Sequence, residues 1–246
     1  MSGVALTLFL LATFFGGLTS GVAGFAMGLV VSGVCLHLFT PLQTATLIAG
    51  YGFVTQGYAI WKFRESVSWK GAAPFIIGGA LGVPVGTMLL TYTDPDVLRV
   101  AIGAFLVLYT IYGLARPALK ASRENAPIDV GVGVLNGLLG GLTGLSGIII
   151  VIWCQMRNWP KDVQRGIFQP VLMATILMAT ASLAVAGAVT PEFIKLYLLG
   201  LPCMMAGTWV GLKLYGRLDD ETFRKVVLAL LLVSGISLVV PFSWFG

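Results

Sequence analysis

The sequence predicts an all-α polytopic membrane protein built from two inverted repeats, each with about five hydrophobic segments. Composition, long apolar runs and an internal duplication favour this fold class. Of the 246 residues, 57% are hydrophobic and 10% are charged, whereas an ordinary soluble domain carries about 25% charged residues. So few charges cannot cover a soluble surface, which excludes a soluble enzyme, a nucleic-acid-binding domain and a disordered chain.

The first apolar run predicts a broken helix. Residues 4–39 contain no charged side chain apart from a titratable His37, and one helix of that length would measure about 54 Å. The hydrocarbon core of a bilayer is about 30 Å thick. We therefore expect two segments, separated near residues 21–24.

The remaining apolar runs give up to ten segments, and the helices are expected to break at glycine-rich motifs. The second and seventh segments are short, so we expect 8–10 transmembrane or re-entrant helices. The later runs are 43–61, 72–92, 97–115, 128–143, 145–156, 166–188, 193–215 and 225–244.

The basic residues predict the topology. All 15 Lys and Arg residues except Arg99 and Lys195 lie in or beside the loops that follow segments three, five, seven and nine. Basic loops favour the cytoplasmic side of a membrane, so we expect both termini on the outer side. The net charge of +5 then indicates loops that face an anionic leaflet, not nucleic acid.

An internal repeat divides the chain into 1–125 and 126–246. Residues 17–25 align with 137–145 at an offset of 120 residues, and the alignment continues in order along both halves. The matched pairs include Cys35 with Cys154, Pro41 with Pro160, Gly82 with Gly207, and Gly86 with Gly211. The loop that follows Pro160 is basic and its counterpart after Pro41 is not, so the repeats are expected to be inverted. Inverted repeats with broken helices are typical of transporters, whose substrate site lies near the midplane.

The two glycine-rich breaks resemble the repeated signature of the TauE/SafE family of sulfite and organosulfonate exporters. The first break reads Gly24-Phe25-Ala26-Met27-Gly28 and the second reads Gly144-Leu145-Ser146-Gly147. Pro41, Pro160 and the glycine-rich run 78–86 fit the same family, so the resemblance covers essentially the whole chain. It implies a multi-pass inner-membrane protein that exports sulfite or a C2 organosulfonate, is not an enzyme and needs no cofactor.

An anion at the midplane needs hydrogen-bond donors to replace its water. No Lys or Arg lies mid-span, so we expect the helix N-termini that begin at Gly24 and Gly144 to supply backbone N–H groups and a favourable dipole. Ser146 adds a hydroxyl donor, and two opposed helix ends would share one anion. The alternative use of glycine is close helix packing, which we favour for Gly82, Gly86, Gly207 and Gly211.

Several other polar or aromatic residues are candidates, each with a structural alternative. Gln56 and Gln169 either donate to substrate or join two helices. Arg165, matched to Thr46 by the repeat, either gathers anions at the cytoplasmic entrance or snorkels to the interface. Tyr51 and Trp153 either wall a pocket or pack. The full set of candidate substrate-binding residues is Gly24, Phe25, Gly28, Thr46, Tyr51, Gln56, Gly144, Leu145, Ser146, Gly147, Trp153, Arg165 and Gln169.

The acidic residues all fall in loops or at segment ends. Ion-coupled transporters usually place a carboxylate mid-span, so we expect facilitated exit of the anion down its own gradient.

A transporter or channel for another small anion, such as a carboxylate, stays open as an alternative function. A serine protease at Ser146 is disfavoured because the one histidine is distant in sequence. The expected partners are the small anion and the bilayer, without nucleic acid; a homodimer through Gly82 and Gly86 stays open.

Overall fold

A computed structural model describes residues 3–90, 103–111, 126–143, 147–157, 159–185 and 191–239. The described residues are helical apart from short connections. The prediction of an all-α fold is confirmed, and each predicted segment contains a helix in its described part. The predicted starts at Gly24 and Gly144 are wrong, since the helices there begin at Met27 and Ile148. The count of membrane spans and the inversion of the repeats stay predictions.

The helices group into two compact units, each of which draws on both halves of the sequence. The first unit comprises residues 1–73 and 165–218, and the second comprises 74–164 and 219–246. The repeat boundary at residue 125 is a statement about sequence and stays a prediction. In chain order the helices are α1 Gly3–Ala23, α2 Met27–Leu38, α3 Pro41–Lys62, α4 Trp69–Leu90, α5 over residues 103–111, α6 Ala126–Thr143, α7 Ile148–Met156, α8 Lys161–Val185, α9 Pro191–Tyr215 and α10 Asp220–Val239.

The core of the first unit lies where α1, α2, α3 and α9 meet. Its side chains are apolar and almost fully buried, except that Tyr51 contributes a hydroxyl. That hydroxyl donates to the carbonyls of Leu196 and Tyr197, at 3.2 and 3.1 Å. The buried cluster consists of Phe9, Met27, Val31, Cys35, Leu47, Tyr51 and Met204.

Local sequence explains where two of the helices begin. The side chain of Thr40 accepts a hydrogen bond from the backbone N–H of Gln43, and the side chain of Gln43 accepts one from Thr40, so α3 starts with a capping box. Asp219 accepts the N–H of Thr222 at 3.0 Å in the first turn of α10. Hydrogen bonds from Thr222 lower the pKa of the Asp219 carboxyl below its usual value.

Glycines let α9 lie directly on α1 in the first unit. A methyl group added at Gly207 would collide with the carbonyl of Phe14 and would lie 3.0 Å from the backbone nitrogen of Leu18. One turn further, a methyl group added at Gly211 would collide with the carbonyl of Leu18 and would lie 2.8 Å from the Cα of Gly21. The prediction that Gly207 and Gly211 pack helices is confirmed.

The second unit repeats this contact between α4 and α6. A methyl group at Gly82 would collide with the carbonyl of Val134 and would lie 2.8 Å from the nitrogen of Leu138; Gly86 meets the carbonyl of Leu138. The alignment of the two halves matches Gly82 and Gly86 with Gly207 and Gly211, and the backbone that they contact on α6 with the backbone contacted on α1. The packing is therefore what a duplication predicts. Gly82 and Gly86 therefore pack within the chain.

Neighbouring glycines on α6 provide a test of this packing. We expect Gly133→Ala to lower the free energy of unfolding by about 1–3 kcal/mol, because the new methyl group would lie 2.8 Å from the Cα of Phe75. The matched control is Gly131→Ala, since nothing lies within 4 Å of a methyl group there. Alanine is a better helix former by about 1 kcal/mol, so the control should be neutral or stabilising. Thermal unfolding in detergent measures both; equal losses would contradict the packing.

Membrane-compatible helices occur in the described part of the chain. By length and composition, two of them are apolar enough to cross a bilayer, Gly3–Ala23 and Ile194–Tyr215. On α1, Leu8, Leu11 and Phe15 are exposed, as expected of a surface that contacts lipid. The second and seventh helices are short, as the apolar runs predicted: α2 has 12 residues and α7 has 9. They measure about 18 Å and 14 Å, too short to span the hydrocarbon core.

Candidate functional site

The break between α1 and α2 centres on Gly24. This glycine has a φ of +90°, a conformation that only glycine adopts without strain. Its N–H donates to the carbonyl of Ser20 at 2.8 Å and closes α1. A methyl group at Gly24 would lie 2.6 Å from the Phe168 ring. The break therefore requires glycine both for its backbone conformation and for the close approach of α8.

Two buried amides flank Gly24 from opposite helices. The Gln56 amide on α3 donates to the carbonyl of Gly24 at 2.9 Å. The Gln169 side-chain nitrogen on α8 lies 3.1 Å from the position that a methyl group on Gly24 would occupy. Gln169 is 1% exposed, yet neither its amide nitrogen nor its oxygen bonds to a described residue. An unsatisfied buried polar group costs about 1–3 kcal/mol, so this amide is held at the break at a cost to stability.

Arg165 is the third polar side chain at this break. It is fully buried, and its Nη2 donates to the carbonyls of Gly21 and Val22 at 2.6 and 2.7 Å. Its guanidinium carbon also lies 4.0 Å from the centre of the Tyr215 ring. The sequence offered two interpretations of Arg165, an anion collector at the cytoplasmic entrance and a snorkelling cation, and predicted neither its full burial nor its bonds to α1. It caps the last turn of α1.

This capping determines the electrostatics of the break. The C-terminus of α1 carries about half a negative charge and the N-terminus of α2 about half a positive charge. The guanidinium of Arg165 offsets the negative end. At the positive end, the residue that precedes α2, Ala26, provides no side-chain cap. The first N–H groups of α2 thus keep the charge and the donor capacity that favour an anion.

Pro170, the residue after Gln169, lies inside α8. Proline has no N–H and therefore leaves the carbonyl of Gly166, one turn earlier, without its helical partner. The backbone N–H of Ser68 donates to that carbonyl at 3.0 Å. This bond ties the segment before α4 to α8.

The second break differs chemically from the first. Gly147 has a φ of +101° and directly precedes α7. The side-chain oxygen of Asn136 on α6 accepts the N–H groups of Gly147 and Ile150, at 3.1 and 3.4 Å. Sequence reasoning missed Asn136, although an amide inside the apolar run 128–143 was a usable signal. Gly144, Leu145 and Ser146 lie outside the described residues, so their predicted roles stay predictions.

A buried ion pair lies in the second unit. Arg157 donates to Asp129 at 2.8 Å, and their side chains are only 3% and 6% exposed. The indole N–H of Trp153 donates to the same carboxylate oxygen at 2.9 Å. The guanidinium carbon of Arg157 also lies 5.0 and 4.9 Å from the ring centres of Trp153 and Trp159. The sequence placed Asp129 at a segment end and Arg157 in a loop and predicted neither the burial nor the contact.

For the other candidates in the first unit, the structure shows no polar contact with Gly24 among the described residues. Tyr51 bonds to α9 and stacks on Tyr197, with 5.0 Å between the ring centres. Thr46 is buried on α3 and Phe25 is half-buried beside Gly24. A methyl group on Gly28 would make an ordinary 3.5 Å contact with Ile48. Their roles in binding stay predictions, as do those of Trp153 and Gly147 in the second unit.

Comparison with known proteins decides the family. The family model described as "Sulfite exporter TauE/SafE" matches residues 9–238. This chain belongs to the TauE/SafE family. It is 25% identical over 227 residues to the "Probable sulfite/organosulfonate exporter TauE" of Cupriavidus necator (strain H16), and the match covers 89% of this chain and 88% of the relative. No solved structure matches the chain.

Family membership makes this TauE/SafE protein a multi-pass membrane transporter of the inner membrane. The resemblance predicted from the two glycine-rich breaks is therefore confirmed. The exposed apolar side chains of α1 are consistent with a bilayer environment. The orientation of the termini is not fixed by the comparison, so both termini on the outer side stays a prediction.

Proposed function

We propose that the chain exports a small sulfur oxyanion, sulfite or a C2 organosulfonate, and binds it at the break between α1 and α2. The substrate class comes from the family and from the name of the Cupriavidus relative. The location rests on one observation above all: the Gln169 amide is buried beside Gly24 and bonds to no described residue. A buried donor of this kind suits a ligand that arrives without its water.

The chemistry of the break suits an oxyanion with several oxygens. The first N–H groups of α2, which Ala26 does not cap, and the side-chain nitrogen of Gln169 are all donors. Gln56, by donating to Gly24, fixes the orientation of the bend without using those donors. Arg165 offsets the negative end of α1, so the local field favours negative charge. We infer that a sulfite or sulfonate group binds through neutral donors, and that Arg165 favours the anion electrostatically without contacting it.

The same arrangement suggests how the substrate leaves its site. A buried Lys or Arg in direct contact with the anion would hold it strongly through a charge-assisted bond. Neutral amide and N–H donors bind less tightly, which favours release on the other side of the membrane. Export down the anion's own gradient, aided by a potential that is negative inside, requires no further coupling group.

Counterflow in proteoliposomes tests this function. Vesicles are loaded with unlabelled sulfite, labelled sulfite is added outside, and no pH gradient is applied. We expect a transient, saturable accumulation of label that unlabelled ethanesulfonate inhibits, because a carrier exchanges through a single site. Vesicles without protein are the control. Linear, non-saturable flux would indicate a channel. Absence of sulfite and ethanesulfonate flux, with exchange of acetate, would overturn the substrate proposal.

A further inference from the structure

The N-terminus of α7 is already bonded to a side chain of the same unit. Asn136 is 1% exposed, and its oxygen accepts from Gly147 and Ile150. These N–H groups are ones that a bound anion would use, since the first N–H groups of a helix have no partner within it. An amide oxygen carries partial negative charge and so satisfies the helix end much as an anion would.

Among the described residues, the first break has no amide at the position that matches Asn136 in the repeat. The repeat offset of 120 residues aligns Asn136 with Gly16, which has no side chain. A methyl group at Gly16 would lie 2.6 Å from the Cγ2 of Val31, so the position has no room for an amide. Ala26, the residue before α2, provides no side-chain cap, just as Gly147 provides none for α7; the difference is that Asn136 reaches the N-terminus of α7 from α6. The Gln169 amide lies beside Gly24 without a bond to a described residue. Each break has a glycine with positive φ and a buried amide. In the described residues they differ in that the oxygen of Asn136 accepts two N–H groups at α7, while its side-chain nitrogen, like that of Gln169, bonds to no described residue.

We propose that the substrate oxyanion binds only at the break between α1 and α2, and that Asn136 closes the N-terminus of α7 as a permanent internal ligand. This inference rests on the proposed function. It departs from the sequence expectation of two opposed helix ends that share one anion. Asn136 is in this view a positioning residue: it shapes the second break and does not contact substrate.

The substitution Asn136→Asp separates the two arrangements. A carboxylate keeps the acceptor oxygen and is favoured at a helix N-terminus, so the helix end stays capped. We expect KM for sulfite counterflow to stay within about twofold of the wild type, because substrate never visits α7. If substrate displaces Asn136 during transport, the added negative charge should raise KM tenfold or more, and the inference is then wrong.

The substitution Asn136→Ala provides an independent readout. Loss of a cap lowers stability, so we expect a lower thermal midpoint together with an unchanged KM for the folded fraction. A KM that falls threefold or more would show that Asn136 competes with substrate for the N–H groups of α7, and would overturn the inference even if Asn136→Asp fails to fold. Wild-type protein measured alongside distinguishes the two proposals. Absent wild-type sulfite counterflow defeats the proposed function, whereas normal wild-type counterflow with a shifted KM in either variant defeats only the role of Asn136.

Discussion

Asp129→Asn, with Arg157 left in place, is expected to lower the free energy of unfolding by about 3–5 kcal/mol. Arg157 is 2% exposed, and its Nη2 donates to Asp129 at 2.8 Å. Removal of the carboxylate charge leaves a guanidinium buried with no anion to offset the loss of its hydration. The indole N–H of Trp153 loses its charged acceptor as well. Unfolding of the purified protein in detergent, titrated with dodecyl sulfate, measures the loss.

Two comparisons identify the cause of that loss. Lys225 and Glu221 form an exposed pair at 2.7 Å in the same unit, and Lys225→Ala should leave stability unchanged because solvent screens such a pair. The double variant Asp129→Leu with Arg157→Met removes both charges, and we expect it to regain much of the stability lost in Asp129→Asn. A double variant that loses the sum of two large single effects would mean that the residues act by packing and not as a pair.

The ion pair shows which buried contacts the sequence alone could not predict. Asp129 and Arg157 lie at the ends of their helices, where charged residues are common, and no local periodicity links them. Their contact exists because α6 and α7 fold back on each other at the second break. Trp153 was found as a candidate from its residue type, but its partner was not, since the indole bonds to a carboxylate on another helix.

The lengths of the apolar runs and the positions of the glycines did predict the helices. The stretch 4–39 had to break because one helix would be too long for a bilayer, and Gly24 marks the point where α1 ends. The packing of Gly82 and Gly207 followed from a spacing that places small residues on one helix face. The burial of Arg165 was not predicted because a basic residue near a segment end has the same sequence pattern whether it snorkels or turns inward. Only the fold shows that the last carbonyls of α1 lie within its reach.

Gln169→Leu is expected to lower sulfite transport by about 10- to 100-fold while the thermal midpoint stays the same or rises. Loss of a hydrogen bond to a charged ligand costs about 1.5–3 kcal/mol, which sets the size of the transport effect. Stability should not fall, because the amide bonds to no described residue and leucine is an apolar side chain of similar volume. Counterflow kinetics and thermal unfolding on the same preparations measure the two effects.

The opposite signs of these two effects are what distinguish a ligand-binding amide from a structural one. Were Gln169 a strut between helices, its replacement would lower stability and transport together, and that joint loss would contradict the binding site. Thr175→Val on the same helix is the matched control: Thr175 is buried, and its hydroxyl already donates to the carbonyl of Val171 at 2.9 Å. Loss of this hydroxyl in Thr175→Val should change the thermal midpoint slightly and leave KM for sulfite unaltered. A buried polar group without a partner calls for an explanation beyond packing, and the signs of the two effects decide whether that explanation is a ligand.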